Sequence, residues 1–441
     1  MSRKKTIIQG TFILTITGFL CRFMGFFYRI FLSRTFGEEG VGLYQLIFPI
    51  YSLCFSLTAA GLETAISRMV AQKTSLGRQK EARDILFSGL AFSAVLSIGA
   101  LLAIQQNAGF IAARLLGDPR CEPLLVAMSY ALPFAAVHSC ICGYCYGLKE
   151  TKIPAVSQVI EQMTRILTVY IFYLVITKKG LEVSVTIAVA GLVAGEIASA
   201  LYAGSTWIRE TRQSLRLRFT YSGIQSRFRE LIPFSLPLTA NRVLINLLQS
   251  IEAVSIPGRL QLYRYSSSQA LGIYGVLTGM ALPCILFPSA ITSSISIMLM
   301  PTVAEIQAAD SQNEMLDITK KVTGSCFILG LGCCLFFLMT GSWLGTVIFG
   351  SPMAGKFIMT LAWICPFMYT NSALTSVING LGKTAITFFI SSFGLLIRIC
   401  SVFFAIPLFG IQGYLWGLLV SQLAVSICAG IVLKRNICIR S

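Results

Sequence analysis

The stretch that decides the fold is RFMGFFYRIFLSRTFGEEGVGLYQLIFPIY at residues 22–51, an apolar run that contains two arginines and is long enough to cross a membrane. Arg22 and Arg29 are seven residues apart, about two helical turns, so their side chains lie on nearly the same helix face. A guanidinium group inside a bilayer costs a few kcal/mol or more unless it faces water, a partner or a ligand. The pattern therefore predicts a membrane helix that lines a polar interior.

The composition of the whole chain fits this reading. The 441 residues are 55% hydrophobic and 12% charged, with a mean hydropathy of +0.76, whereas soluble domains carry about 25% charged residues. Apolar runs of roughly 20 to 28 residues recur along the chain, and each suits one spanning helix. We expect an all-α polytopic membrane protein with its first apolar run retained as a helix rather than cleaved as a signal peptide.

About twelve transmembrane helices are predicted, in two six-helix lobes around a central cavity. Their expected positions are 7–33, 43–67, 84–104, 123–147, 154–177, 184–207, 231–255, 271–300, 322–341, 357–379, 385–408 and 412–433.

The formal net charge of +17 is explained by topology rather than by nucleic-acid binding. With a cytoplasmic N-terminus, the predicted inner segments carry 21 lysines and arginines and the outer loops carry eight. Because positive residues concentrate on the cytoplasmic side, this bias predicts a plasma-membrane protein with both termini in the cytoplasm.

The predicted domains are an N-terminal lobe at 1–207, a basic cytoplasmic linker at 208–229 and a C-terminal lobe at 230–441. The linker has no spanning run, and its arginines and aromatic residues predict a segment that skims the membrane surface. The two lobes resemble each other: GLKETKIP at 147–154 matches GLGKTAIT at 380–387. Parallel six-helix repeats are typical of transporters that work by alternating access.

Charged residues within the spans identify the candidate site. Arg22, Arg165, Arg242 and Arg398 lie deep in their helices, whereas Arg29 is nearer the outer surface. Carboxylates that could couple transport to an ion or serve a structural role are Glu63, Glu161 and Glu196, and Glu161 precedes Arg165 by one helical turn. The balance is positive, and arginine binds phosphate through two parallel hydrogen bonds. The predicted substrate is therefore anionic and phosphate-bearing.

The segment at 22–53 and the stretches IEAVSIPGRL at 251–260 and YGVLTGMALPCILFPSAITSSIS at 274–296 resemble the stage V sporulation protein B-like, polysaccharide-transport family of the multidrug/oligosaccharidyl-lipid/polysaccharide exporter superfamily. The resemblance implies a flippase for a lipid-linked oligosaccharide or peptidoglycan precursor, with membrane lipids and cell-wall synthesis enzymes as candidate partners. It places Arg22 on the family's first cavity arginine, within R-x-x-G-F, and places the second at Tyr28, beside Arg29. Many relatives have fourteen helices, and with twelve we expect the lipid tail to lie in the bilayer.

Two other classes of function are alternatives to a flippase. A multidrug or cation antiporter of the same superfamily needs a membrane carboxylate, which Glu63, Glu161 or Glu196 could supply. An enzyme needs catalytic groups on exposed loops, and here the outer loops are short and His138, the one histidine, is expected to be packed inside a helix. No phosphate-binding loop and no cysteine spacing typical of a metal site are present, so neither a cofactor nor a metal is predicted.

Overall fold

The computed structural model describes residues 3–214, 221–308 and 312–437, which form helices and short turns without any strand. The predicted all-α membrane fold is confirmed. The middle of the predicted basic linker, 215–220, lies outside the described residues, as do the side chains of 210–229.

Eighteen α-helices are described. In chain order they are α1 (Arg3–Leu46), α2 (Phe48–Phe55), α3 (Gly61–Ser75), α4 (Gln79–Phe110), α5 (Cys121–Ser129), α6 (Ala131–Gly147), α7 (Lys152–Lys178), α8 (Thr186–Ser214), α9 (Tyr221–Leu262), α10 (Ser267–Gly275), α11 (Leu282–Leu286), α12 (Ser289–Ala308), α13 (Gln312–Trp343), α14 (Pro352–Ala362), α15 (Cys365–Gly380), α16 (Thr384–Cys400), α17 (Ile406–Phe409) and α18 (Ile411–Ile437). Short π-helical segments continue several of them, at Ser56–Ala60, Ile111–Leu116, Val276–Ala281, Leu344–Ile348 and Ser401–Ala405.

Among the described residues, ten helical segments are long and apolar enough to cross a membrane, or eleven when α14 and α15, bent by 54°, are counted as one span. One of the ten, Phe12–Ser75, has 64 residues, about 96 Å of helix, which is enough for two crossings of a hydrocarbon core about 30 Å thick. The chain bends within it at Gly37, where φ is 66° and ψ is −172°. Glycine adopts this positive φ without the steric cost that a Cβ would bring.

The seventh and eighth predicted spans do not each correspond to a single one of these ten segments. Ser267–Leu286 and Ser289–Gln307 pass the length test separately but together occupy the predicted eighth span, which is interrupted by a turn at Phe287 and Pro288. Helix α9 supplies the seventh span, although it is not among the ten apolar segments. With these assignments the described helices accommodate all twelve predicted spans.

The chain forms two compact units. Unit 1 holds the described residues up to Tyr28 together with Leu43–Ser250, and unit 2 holds Arg29–Gly42 together with the described residues from Ile251 onward. These units differ from the lobes predicted at 1–207 and 230–441 in two segments: 29–42 packs within unit 2, and 230–250 packs within unit 1.

In unit 1, close packing of α3 on α6 depends on two glycines one turn apart. A Cβ built on Gly143 would lie 2.6 Å from the carbonyl oxygen of Glu63, and one built on Gly147 would lie 2.7 Å from that of Ser67. Small residues spaced in this way let helix backbones approach closely. The buried core beside this contact includes Leu62, Ile66 and Val70 of α3 together with residues of α4, α6 and α8.

Unit 2 repeats the same contact between α12 and α15. A Cβ on Gly380 would lie 2.8 Å from the carbonyl oxygen of Met300 and 2.8 Å from Val303. Adding 233 to Gly147, Ser67 and Val70 gives these three positions, so the internal repeat holds at the level of individual contacts. The same offset of 233 relates α7 to α16, and an offset of 226 relates α8 to α18 through Gly191 and Gly417.

Candidate functional site

Arg22 lies on α1 within unit 1, and its side chain is exposed. In the part of the chain that the structure describes, it makes no hydrogen bond or ion pair. The predicted cavity arginine therefore carries a charge that no described protein group balances.

Arg29 lies seven residues further along α1 and packs within unit 2. It is half-buried, and its Nη1 donates to the carbonyl oxygen of Thr278 at 3.4 Å. Thr278 belongs to the π-helical segment Val276–Ala281, so Arg29 contributes to packing between α1 and that segment.

Arg165 is balanced by Glu161 on the same helix, as the i, i+4 spacing predicts. Its Nη2 donates to Oε1 of Glu161 at 2.5 Å, and both side chains are at least four-fifths buried. The Nε of Arg165 is buried and has no hydrogen-bond partner among the described residues. The pair therefore stabilises α7 and leaves one donor available.

Arg398 is also balanced, by a carboxylate 146 residues away in the sequence, a separation that no local spacing rule covers. Its Nε donates to Oε1 of Glu252 at 2.7 Å, and its Nη2 donates to Oε2 of the same carboxylate. Tyr414 donates to Oε1 of Glu252 at 2.6 Å. Glu252 is 3% exposed, so the two-pronged ion pair neutralises a buried carboxylate within unit 2.

Arg242 of α9 is exposed, and its Nη2 donates to the hydroxyl oxygen of Thr64 at 3.2 Å. This contact is to a neutral group. Among the five candidate arginines, Arg165 and Arg398 have carboxylate partners, whereas Arg22 and Arg242 have no ion pair with any described carboxylate.

All three candidate carboxylates line one cavity of unit 1, with a volume of 250 Å³. Glu63 accepts a hydrogen bond from Ser139 at 2.7 Å, and Glu196, which is 8% exposed, accepts one from Tyr51 at 2.9 Å. Besides these carboxylates the lining consists of aromatic, small and polar side chains: Tyr51, Phe55, Ala135, His138, Ser139, Cys142, Tyr146 and Gln158.

Arg22 and the residue aligned with it in the second repeat carry opposite charges. Residues 29–44 align without a gap on 259–274, which matches Arg29 with Arg259, Arg34 with Arg264 and Gly42 with Gly272. At this offset Arg22 of unit 1 corresponds to Glu252 of unit 2. Unit 2 pairs Glu252 with Arg398, and unit 1 has arginine at both equivalent positions, Arg22 and Arg165. This substitution explains why Arg22 has no carboxylate partner of that kind.

The fold, the buried ion pairs and the polar cavity inside a bundle of spanning helices are typical of a multi-pass membrane transporter. Residues 7–307 match the model of the family described as polysaccharide biosynthesis protein, and the chain belongs to that family. Over 415 residues, 93% of this chain and 80% of the relative, it is 30% identical to stage V sporulation protein B of Bacillus subtilis (strain 168).

Solved structures show the same fold at low sequence identity. The lipid II flippase MurJ in an inward closed conformation superposes with a TM-score of 0.74 at 13% identity, over 96% of this chain and 87% of that one. An inward-facing multidrug resistance MATE family transporter gives a TM-score of 0.75 at 15% identity, over 95% and 94% of the two chains. The chain therefore shares its fold with these two proteins, and the 30% identity to stage V sporulation protein B confirms the resemblance that the sequence motifs indicated.

Proposed function

We propose that this protein is a flippase that moves a lipid-linked oligosaccharide or peptidoglycan precursor across the plasma membrane by alternating access. The observation that carries the proposal is Arg22, an exposed arginine in a spanning helix with no described counter-charge. A guanidinium group in that position is costly unless it meets water or an anionic ligand. A diphosphate that links a glycan to a lipid supplies that anion.

The assignment of roles follows from which arginines are already neutralised. Arg22 and Arg242 are the substrate-binding arginines, because neither has an ion pair within the described chain. Arg165 and Arg398 are held by Glu161 and Glu252, so their main role is to stabilise their helices. Arg29 positions α1 through its contact with Thr278.

Family membership supports the class of substrate. The family description names polysaccharide biosynthesis, and one structural neighbour is named a lipid II flippase. Both point to a glycan carried on a lipid, and hence to cell-wall synthesis enzymes as the proteins that make or consume it. The excess of positive residues in the predicted inner segments supports a cytoplasmic location for both termini.

The test is a flipping assay in proteoliposomes with a fluorescent lipid diphosphate that carries a short glycan. Arg22→Ala is expected to lower the initial flipping rate by at least about tenfold, the effect of losing one strong charge-assisted contact of about 1.5–3 kcal/mol. Arg22→Lys should retain part of the rate, because lysine keeps the charge but not the two-pronged geometry.

Arg114→Ala is the matched control, because Arg114 is an exposed arginine at the end of the π-helical segment Ile111–Leu116. That variant should flip at the wild-type rate. Wild-type flipping by Arg22→Ala, at equal protein incorporation, would overturn the assignment of Arg22.

A second candidate function is a multidrug or cation antiporter. The specific observation that favours it is the cavity of unit 1, where Glu63, Glu161 and Glu196 lie together, in a fold shared with a multidrug transporter. Its test is drug resistance conferred on a sensitive host. Resistance that disappears in Glu196→Gln while lipid flipping is absent would favour the antiporter over the flippase.

A further inference from the structure

Three helices of unit 1 bring a histidine and two glutamates together. His138 of α6, Glu161 of α7 and Glu196 of α8 each offer one ligand atom, and these atoms all lie within 4.8 Å of one another. The three side chains line the 250 Å³ cavity. In the described part of the chain this is the one group of three such side chains close enough to share a metal ion.

The hydrogen bonds of His138 determine which ring nitrogen is available. Nε2 lies 2.8 Å from the hydroxyl oxygen of Ser157, and that hydroxyl donates its single hydrogen to the carbonyl oxygen of Pro154 at 2.9 Å. When the Ser157 hydrogen is on the Pro154 oxygen, Nε2 is the donor to Ser157 and Nδ1 keeps its lone pair. A histidine whose second nitrogen donates to a fixed acceptor is the usual arrangement for a metal-binding imidazole.

The carboxylates also have unused acceptor capacity. Glu196 is more than nine-tenths buried, its Oε1 accepts from Tyr51, and its Oε2 accepts no hydrogen bond from the described residues. Glu161 uses Oε1 for Arg165. Glu161 and Glu196 face the cavity against the single guanidinium of Arg165, whereas Glu63 lies beside Arg242, which donates to the neighbouring Thr64. Buried carboxylates this close together need a positive charge or a shared proton.

Unit 2 has uncharged residues at the equivalent positions. The repeat offsets align His138, Glu161 and Glu196 with Asn371, Gly394 and Gln422. There Nδ2 of Asn371 donates to Oε1 of Gln422 at 2.8 Å, and Ser426 donates to Oδ1 of Asn371 at 2.7 Å. Neutral amides satisfy each other in unit 2 without any ligand. At the equivalent positions, unit 1 has three side chains that can bind a cation.

We propose that His138, Glu161 and Glu196 bind a divalent transition-metal ion such as Zn²⁺ or Mn²⁺. The imidazole nitrogen favours this class, since sodium, calcium and magnesium are bound by oxygen ligands. Ligand distances of about 2.0–2.2 Å place donor atoms about 3.4 Å apart, so the three atoms, which lie within 4.8 Å of one another here, must move closer when the ion binds. The ion neutralises the excess carboxylate charge and ties α6, α7 and α8 together, whichever substrate the transporter carries.

The test is equilibrium dialysis of the tag-free, detergent-purified full chain against Zn²⁺ and, separately, Mn²⁺, with metal content measured by mass spectrometry. About one ion per chain is expected for the wild type. His138→Asn combined with Glu196→Gln installs the residues of unit 2 and is expected to weaken binding by at least about 100-fold, because two of three ligands are lost. Since unit 2 folds around the same amide pair, this double variant should fold.

Glu63→Gln is the control, because Glu63 lines the cavity but lies outside the three-residue group. It should keep its metal. Thermal unfolding with and without Zn²⁺ gives a second readout: the ion should raise Tm for the wild type and for Glu63→Gln, and leave the double variant unchanged. Equal binding by the double variant, or absence of saturable binding of both ions in the wild type, would overturn the proposal. No flipping is measured, so the result is separate from the proposed function.

Discussion

At the scale of single residues, the ion pair of Arg398 with Glu252 makes the firmest prediction for stability. Removing one partner of a buried pair costs about 3–5 kcal/mol, because the other charge is left without a counter-charge. Glu252→Gln should therefore lower Tm substantially in a detergent unfolding experiment. Combining it with Arg398→Met should recover most of the loss. Tyr414→Phe, which removes one hydrogen bond to the same carboxylate, should cost only about 1 kcal/mol.

Asp118 gives a prediction outside the membrane, in the turn between α4 and α5. Burial would raise the pKa of its carboxyl group, but four hydrogen bonds from Arg120 and the charge of that residue outweigh burial and lower the pKa below its usual range. A carboxyl group whose folded-state pKa is depressed adds stability above its unfolded-state pKa, about 3.9, and loses it as the pH falls through the folded-state value.

Asp118→Asn should therefore lower the free energy of unfolding at pH 7, by less than about 1 kcal/mol because Arg120 is exposed and solvent screens the pair. The Tm difference between the variant and the wild type should shrink as the pH is lowered below about 4. A difference that stays constant from pH 7 to pH 3 would mean that the charge of Asp118 does not stabilise this turn.

At the scale of helices, glycine contacts set the distance between packed pairs. Gly147→Ala would place a methyl group 2.7 Å from the Ser67 oxygen, and Gly380→Ala would repeat the clash at 2.8 Å from Met300. Overpacking of this kind costs about 1–3 kcal/mol, and both variants should show it as a lower Tm. Gly99→Ala in α4 meets nothing within 4 Å and should be neutral or stabilising by up to about 1 kcal/mol.

Helices are also the scale at which prediction from sequence succeeded best. Apolar runs and flanking charges gave the spans, and the Glu161–Arg165 pair followed from spacing along one helix. The Glu252–Arg398 pair was missed because its partners lie 146 residues apart on different helices. The cluster of His138, Glu161 and Glu196 was missed for the same reason, since metal-ligand motifs are recognised by short spacings. Contacts between helices depend on packing, which hydrophobic periodicity does not encode.

The ends of the helices show a second limit of prediction from sequence. The predicted helix 43–67 is continued to Ser75 through the π-helical turn Ser56–Ala60. The predicted helix 271–300 corresponds to helices from Ser267 to Ala308, with a π-helical segment at Val276–Ala281 and a turn at Phe287 and Pro288. Hydropathy marks where a helix is buried in apolar surroundings, and it does not mark where the polar ends of that helix stop. The predicted ends were therefore short by several residues.

At the scale of the whole molecule, the twelve predicted crossings assign each turn between helices to one side of the membrane. With the N-terminus in the cytoplasm, the turn at 76–78 between α3 and α4 and the turn at 148–151 between α6 and α7 face inward. The turns at 117–120 and 179–185, after α4 and α7, then face outward. This alternation depends on the bend at Gly37 dividing the run 12–75 into two crossings, since a single crossing there would invert all later turns.

Reporter fusions in a bacterial host test this arrangement directly. Alkaline phosphatase, which is active only outside the cytoplasm, should be active when fused after residue 120 or 183 and inactive when fused after 77 or 150. Green fluorescent protein at the same four positions should give the opposite pattern, which controls for expression. If phosphatase were active at 77 and inactive at 120, the run 12–75 would cross the membrane once. The positive residues of the predicted inner segments would then face outward, against the rule that orients membrane proteins, and the pairing of α1 with α9 as equivalent helices of two parallel repeats would fail with it.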